Sequence, residues 1–176
     1  MAYKFRFSGV NILNISAENN PLYHTMAHPS LNFARNLNEQ IMIPEGHTIE
    51  DIKKREQIIR DFYREWKEKN PSQRKFNLSL KEYINIRMVS IVETSEHAAK
   101  NYLSTLAVLQ LDSILAGAKK VSVKKPKPGN ANQKPFERIM IMEYELTGIG
   151  KIKMTVGVRR RTLEKVQYCI TAISSE

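Results

Sequence analysis

The chain contains few of the residues that build disulfides and metal clusters. Cys169 is the single cysteine among 176 residues, which excludes an internal disulfide and favours a reducing compartment, the cytoplasm. Its four histidines are scattered and show no zinc-ligand spacing. His24 and His28 lie four residues apart, but Pro29 argues against the regular helix that would place them on one face. We therefore expect neither a metal nor another cofactor.

Long apolar runs are also missing. No stretch approaches the roughly 20 apolar residues of a transmembrane helix. The first eight residues lack the apolar core of a signal peptide, so the sequence predicts no membrane partner. Hydrophobic residues nevertheless make up 41% of the chain, which is typical of a globular protein and argues against disorder throughout.

The formal net charge of +10 is distributed unevenly. Residues 119–176 hold thirteen Lys and Arg against five Asp and Glu, and residues 51–75 hold nine against five. Residues 1–50 and 76–118 each carry one more acidic than basic residue. Such clustering favours a surface that binds phosphates, most plausibly those of nucleic acid. The alternative is a basic face that serves only solubility.

The last forty residues predict a three-stranded antiparallel meander over 136–144, 151–159 and 165–173. The turn Thr147-Gly148-Ile149-Gly150 separates the first two strands, and its glycines allow positive φ angles. Residues of the middle strand alternate between an apolar face and a basic, hydroxyl-bearing face. The apolar face holds Ile152, Met154, Val156 and Val158, and the polar face holds Lys151, Lys153, Thr155 and Arg159.

Two amphipathic helices precede this meander. The first is predicted from residue 51 to Asn70, with a Thr48–Asp51 capping pair at its start and Pro71 at its end. The second is predicted from residues 93 to 116, with a bend or a break at the Ser104-Thr105 pair and a left-handed Gly117 after its end. Between the helices we expect a helical turn near 78–84 and a strand over 86–91. Residues 119–134 are predicted to be an exposed loop.

The predicted fold class is α+β, with two main helices packed on an antiparallel β-meander and an irregular N-terminal region. We divide the chain into an N-terminal strand or arm region (1–50), an amphipathic helix with a linker strand (51–92), and a helix with the basic meander (93–176). One compact domain is the alternative. Residues 3–15 suggest a strand or hairpin within the first region.

The order of these elements resembles a known nuclease fold. The matching features are Glu93-Thr94-Ser95-Glu96-His97-Ala98-Ala99, the apolar run from Leu106 to Ala118, a charged loop, and a last strand with the pattern Tyr168-x-Ile170-Thr171-x-Ile173. Together they resemble the barnase/EndoU/colicin/RelE-like fold of polyvalent proteins from phages, plasmids and conjugative elements. The resemblance covers residues 93–176, about half of the chain. It implies metal-independent ribonuclease or toxin-like activity, with an antitoxin or immunity protein as a partner.

Such a reaction needs a general base, a general acid and cations that stabilise the phosphorane. The catalytic candidates are His97, placed by the predicted helix in its first turn, with Thr155 and Arg159 on the meander. His97 would transfer protons, Thr155 would donate a hydrogen bond, and Arg159 would hold the phosphate. The candidates for nucleic-acid binding are the cations of the predicted polar surface: Arg87, Lys124, Lys125, Lys127, Lys134, Arg138, Lys151, Lys153, Arg160 and Arg161.

Simpler readings of the same residues remain open. His97 can pair with Glu93 on the helix surface, and Lys153 and Arg159 can be ordinary solvated side chains. The protein can then be a nucleic-acid-binding accessory protein without catalysis, with RNA as the favoured ligand. A third hypothesis is an interaction protein whose residues 1–50 join two copies into a homodimer.

Overall fold

A computed structural model describes residues 42–173 as an α+β structure, which confirms the predicted class. The predictions for the N-terminal strand, for His24 and His28, and for most of the arm lie outside these residues. The described helices are α1 (Ile49–Lys69), α2 (Met88–Ala98), α3 (Tyr102–Val108) and α4 (Leu111–Gly117). The described strands are β1 (Arg74–Asn77), β2 (Glu82–Asn85), β3 (Lys119–Lys124), β4 (Phe136–Leu146), β5 (Gly150–Arg159) and β6 (Lys165–Ala172).

The six strands form one mixed sheet in the order β1-β2-β6-β5-β4-β3. The three predicted strands are its centre, β4 to β6, and they pair antiparallel. β2 pairs with β6 in parallel through Ile84–Lys165 and Asn85–Val166, so the sheet is not purely antiparallel. The predicted meander is therefore correct for three strands but incomplete as a description of the sheet.

All four described helices contribute to a core on one face of this sheet. Ile152, Met154, Val156 and Val158 of β5 are fully buried there, as their alternation predicts. α1 contributes Ile59, Tyr63 and Trp66. Its start is fixed by the predicted capping box, in which Asp51 N donates to Thr48 Oγ1 at 3.1 Å and Thr48 N donates to Asp51 Oδ2 at 3.2 Å.

The opposite side of the sheet, here called the open face, keeps much of its polar surface exposed. Lys151 and Lys153 are exposed there, and Thr155 is half-buried. A smaller apolar cluster covers this face where β4 and β6 begin. It is formed by Phe136, Ile139, Val166 and Tyr168. The Phe136 ring lies directly on Gly157, where a Cβ atom would meet ring carbons at 2.5–2.6 Å. Only glycine therefore leaves space for this ring.

The predicted helix over 93–116 is three helices, so the expectation of two main helices is wrong. The helix α2 ends at Ala98, and Asn101 then caps the start of α3, because its Oδ1 accepts from Ser104 N at 3.0 Å. Ser104, near the expected bend, lies inside α3. Gly117 ends α4 without a left-handed backbone, and an added Cβ would lie 2.6 Å from the Tyr144 ring. Close ring approach explains this glycine.

Two shorter predictions before the meander are also wrong. Residues 78–81 turn between β1 and β2 rather than forming a helical turn. Asn77 fixes this turn, because its Oδ1 accepts from Leu80 N at 2.8 Å while its Nδ2 donates to Leu115 O at 2.7 Å. The expected strand over 86–91 is instead the start of α2, where Arg87 N donates to Ser90 Oγ at 2.9 Å.

The expected loop over 119–134 begins as an edge strand. All six residues of β3 are exposed, so its pairing with β4 rests on backbone hydrogen bonds and leaves no burial pattern in the sequence. The connection from Lys125 to Pro135 is exposed over most of its length and contains a 3-10 turn at Ala131–Gln133.

α2 lies against β6 beyond the short β2 pairing. Gln167 Nε2 donates to Thr94 Oγ1 at 2.8 Å, and Tyr63 of α1 donates to Gln167 Oε1 at 2.9 Å. This buried network ties both helices to the sheet. Across residues 42–173, none of the helices combines the length and apolar character needed to cross a bilayer.

Candidate nucleic-acid interface

A basic cleft of about 680 Å³ lies at the connection between β3 and β4. Its cations are Lys125, Lys127, Lys134 and Arg160, all four of them predicted nucleic-acid-binding residues. Among residues 42–173, Glu137 is the one carboxylate in the lining. The lining is completed by Pro126, Pro128, Gly129, Asn130 and Ala131. The fold thus brings together cations from the connection and from the β5–β6 turn.

Backbone and amide contacts hold this cleft in shape. The buried Gln133 side chain accepts from Lys127 N at 2.8 Å, and Gln133 N donates to Asn130 Oδ1 at 3.2 Å. Arg160 N donates to Pro135 O at 3.2 Å, and its Nε donates to Lys134 O at 3.3 Å. Two segments distant in sequence are therefore fixed to each other on either side of the cleft.

A pair of arginines lies at the same end of the sheet. Arg87 Nε donates to Glu164 Oε1 at 2.9 Å, and Arg159 Nε lies 3.3 Å from Glu164 Oε2. The Arg159 contact satisfies the distance of an ion pair without the geometry of a hydrogen bond. Two cations share one carboxylate, so this group retains a formal charge of +1. Arg87 and Arg159 are both predicted site residues, and Glu164 holds them together.

The predicted catalytic residue His97 lies beside a buried carboxylate. Its Nε2 is 3.5 Å from Glu93 Oε2, whereas Asn132 Nδ2 donates to Glu93 Oε1 at 2.6 Å. Glu93 is only 5% exposed, while half of the His97 side chain is exposed. Because α2 begins at Met88 rather than Glu93, His97 occupies the last turn of the helix and not the first.

The Tyr168 hydroxyl and the Cys169 thiol both lie near Glu93. Burial, followed by the proximity of Glu93, raises the pKa of the Tyr168 hydroxyl to about 12. Burial, again with Glu93 as the next cause, raises the pKa of the Cys169 thiol to about 12. The buried Tyr168 hydroxyl has no hydrogen-bond partner among residues 42–173. Both groups are neutral near pH 7, so Cys169 is unsuited to act as a nucleophile.

The three predicted catalytic residues do not form one contact network. His97 faces Glu93, Thr155 Oγ1 donates to Cys169 O at 3.3 Å, and Arg159 pairs with Glu164. Thr155 and Arg159 are four residues apart on one strand, which separates their Cα atoms by about 13 Å. The two residues therefore lie at separate positions along β5, each with its own partner.

The remaining predicted binding residues lie outside the cleft. Lys151 Nζ is 3.6 Å from Glu143 Oε2, and Arg138 NH1 is 3.3 Å from Glu137 Oε1. Lys124 ends β3 next to the cleft. Lys153 and Arg161 are exposed on the open face and in the β5–β6 turn, respectively. The homodimer through residues 1–50 and the antitoxin or immunity partner stay predictions.

Two residues that shape this region were not predicted from the sequence. Asn132 reaches Glu93 from a loop 39 positions away, and no local pattern marks that contact. Tyr168 follows the spacing of a core residue, yet its hydroxyl points among Glu93, Gln133 and Asn130. A β-bulge between Thr155 and Val156 shifts the register opposite Tyr168 and changes its surroundings.

No protein-family model, curated protein or solved structure matches this chain. Within residues 42–173, no group of three His, Cys, Asp or Glu side chains is placed to hold a metal ion. The functional argument therefore rests on the geometry of the chain itself.

Proposed function

We propose that the protein binds nucleic acid, with RNA as the favoured ligand, through the basic cleft. The observation that carries this proposal is the convergence of Lys125, Lys127, Lys134 and Arg160 around one cleft, to which the described part of the chain contributes a single carboxylate. Such a concentration of cations on a fixed backbone is suited to consecutive phosphates.

The four cations contribute in different ways. The lysine ammonium groups act as point charges on the phosphate backbone, whereas the Arg160 guanidinium can contact two phosphate oxygens at once. Pro126 and Pro128 restrict the backbone of the connection, which lowers the entropy lost when the lysines are held by a ligand. Binding of this kind reads the charge of the backbone more than the base sequence.

The test is a salt titration of binding to a labelled single-stranded RNA. The slope of log affinity against log salt is negative, and each lost phosphate contact should make it less steep by about 0.7. Lys127→Ala combined with Lys134→Ala should therefore make the slope less steep by about 1.4. Lys100→Ala is a control of the same chemistry at an exposed site between α2 and α3.

Two results would contradict this proposal. Affinity that does not change with salt would exclude phosphate contacts as its source. An effect of Lys100→Ala as large as half that of the double variant would show that overall charge, rather than the cleft, attracts the ligand.

A second candidate function is metal-independent cleavage of the bound RNA, and the Glu93–His97 pair favours it. The buried Glu93 carboxyl lies 3.5 Å from His97 Nε2 and can orient the imidazole ring. His97 would act either as the base that takes the proton of the ribose 2′-OH or as the acid that gives a proton to the 5′ leaving oxygen. Asn132 joins this pair to the connection that lines the cleft. Arg159 and Thr155 would act only on neighbouring parts of the ligand.

Cleavage is tested with end-labelled RNA in EDTA. We expect His97→Ala to abolish it, and we expect the nearly isosteric Glu93→Gln to reduce it while leaving RNA binding intact. Cleavage that survives in His97→Ala would reject this site. RNA that is bound but never cleaved by the unmodified protein would leave the accessory binding function as the better description.

A further inference from the structure

An exposed aromatic pair lies on the β1–β2 hairpin. Phe76 and Tyr83 are direct cross-strand partners, with ring centroids 5.4 Å apart and an interplanar angle of 74°. The rings are 42% and 48% exposed, respectively. The guanidinium of Arg74 lies 4.4 Å from the centroid of the Tyr83 ring. The three side chains thus present two π surfaces and a cation to solvent.

This aromatic group lies in line with the basic cleft across the sheet. Paired residues follow one another from strand to strand: Arg74 with Asn85, Asn85 with Val166, Val166 with Gly157, Gly157 with Ile139, and Ile139 with Lys124. Paired residues share a face, so this row crosses all six strands on the open face. Its middle residues Val166, Gly157 and Ile139 are buried within or beneath the apolar cluster around Phe136, so a ligand that follows the row would pass over this cluster. Five interstrand spacings give it a length of about 24 Å. Its far end, Lys124, directly precedes the cleft residue Lys125.

We propose that Phe76, Tyr83 and Arg74 form a stacking platform for an unpaired base, so that the ligand is a single strand spanning the row between platform and cleft. This inference rests on the proposed function and specifies its ligand. Aromatic rings stack on any base, and the planar arginine side chain stacks in the same way. A stacked strand that keeps the 3.4 Å axial rise of a duplex strand would span 24 Å with about seven nucleotides, and a more extended strand would need fewer.

The arginines between the two ends support the same path. Arg87 and Arg159 both contact the Glu164 carboxylate, and Glu164 directly precedes the β6 residues that pair with β2. Their remaining positive charge lies between the platform and the cleft, where the backbone of a bound strand would pass. A duplex would keep its bases paired and hidden from the rings, so the platform predicts a preference for single strands.

The experiment compares two single strands of about 12 nucleotides, longer than the row requires, that have equal charge. One carries bases throughout and the other is abasic. We expect the abasic strand to bind about tenfold more weakly, since stacking on one ring is worth about 1–3 kcal/mol per base. Tyr83→Leu and Phe76→Leu should cause a similar loss for the base-containing strand and little change for the abasic strand. The salt slope should stay constant in both variants.

Leu78→Ala is the matched control, because Leu78 is a 70% exposed apolar residue in the turn beside the platform. Tyr83→Trp should retain affinity, since the indole ring offers a larger π surface than the phenol ring it replaces. Circular dichroism of each variant checks that the fold is intact.

The results distinguish this inference from the function on which it rests. Equal affinity for base-containing and abasic strands, or an undiminished affinity in both leucine variants, overturns the platform. If binding still depends on salt in that case, the proposal for the cleft is upheld. A duplex bound as tightly as the single strand also overturns the platform. Absence of any binding by the unmodified protein overturns both.

Discussion

Gly157→Ala should destabilise the protein through a single steric conflict. The new Cβ would lie 2.5 Å from Phe136 Cδ1, and Phe136 is only 1% exposed, so the ring has little room to move. Overpacking of this kind costs about 1–3 kcal/mol. The backbone of Gly157 does not have the positive φ that would itself oppose alanine. The whole loss should therefore depend on the Phe136 ring.

A double-mutant cycle in urea measures this dependence. Phe136→Ala alone should lower the free energy of unfolding by about 3–5 kcal/mol through cavity formation. Adding Gly157→Ala to that variant should cost little more, because the new methyl group enters the space left by the ring. The resulting coupling energy should be about 1–3 kcal/mol.

Gly150→Ala provides the comparison. Gly150 has a φ of 99°, and no atom of the described residues lies within 4 Å of an added Cβ, so alanine there meets backbone strain without a collision. Its cost should be the same with and without the Phe136 ring. A Gly157→Ala loss that persists unchanged in the Phe136→Ala background would refute the steric argument, as would a loss below about 0.5 kcal/mol.

Three further predictions concern buried polar groups. Arg55→Met should lower the free energy of unfolding by about 3 kcal/mol or more in urea, because fully buried Arg55 donates to three backbone carbonyls. Gln167→Leu should cost about 1–3 kcal/mol, measured by thermal unfolding, since Tyr63 and Thr94 lose their amide partner. The Cys169 thiol should react with Ellman's reagent at pH 8 much more slowly in the folded protein than in urea. Because folding raises the pKa of this thiol to about 12, its contribution to stability is complete below the pKa of the unfolded thiol and is lost as pH rises towards 12.

The elements with a strong local pattern were predictable from the sequence. β5 alternates over its whole length, and Thr48 with Asp51 marks the start of α1 through side-chain hydrogen bonds that need no distant partner. The central strands and the first helix accordingly match their predictions within about two residues.

The elements that depend on distant contacts were not predictable in this way. Residues 86–91 contain β-branched side chains, yet packing against β6 and the Ser90 hydrogen bond make this segment helical. β3 has no buried side chain, so nothing in its residue pattern distinguishes it from a loop. Asn77 determines the β1–β2 turn through carbonyls about 40 residues away.

The same division applies to the candidate site. The four cations of the cleft were predicted because clusters of Lys and Arg are visible in the sequence. The strand β3, which leads to them, was not predicted. The separation of Thr155 from Arg159 follows from strand geometry alone. The contact of Glu93 with Asn132, in contrast, exists only because a loop folds back on α2.

The exposed edge strand β3 has a consequence for association between copies. Val121 and Val123 are each 50% exposed on a strand that has one unpaired side within residues 42–173, which is the kind of edge that recruits another strand. Lys119, Lys120 and Lys124 place positive charge along it and repel an identical edge. Acetylation of these lysines should therefore convert a self-repelling edge into one that joins copies into larger β-structures.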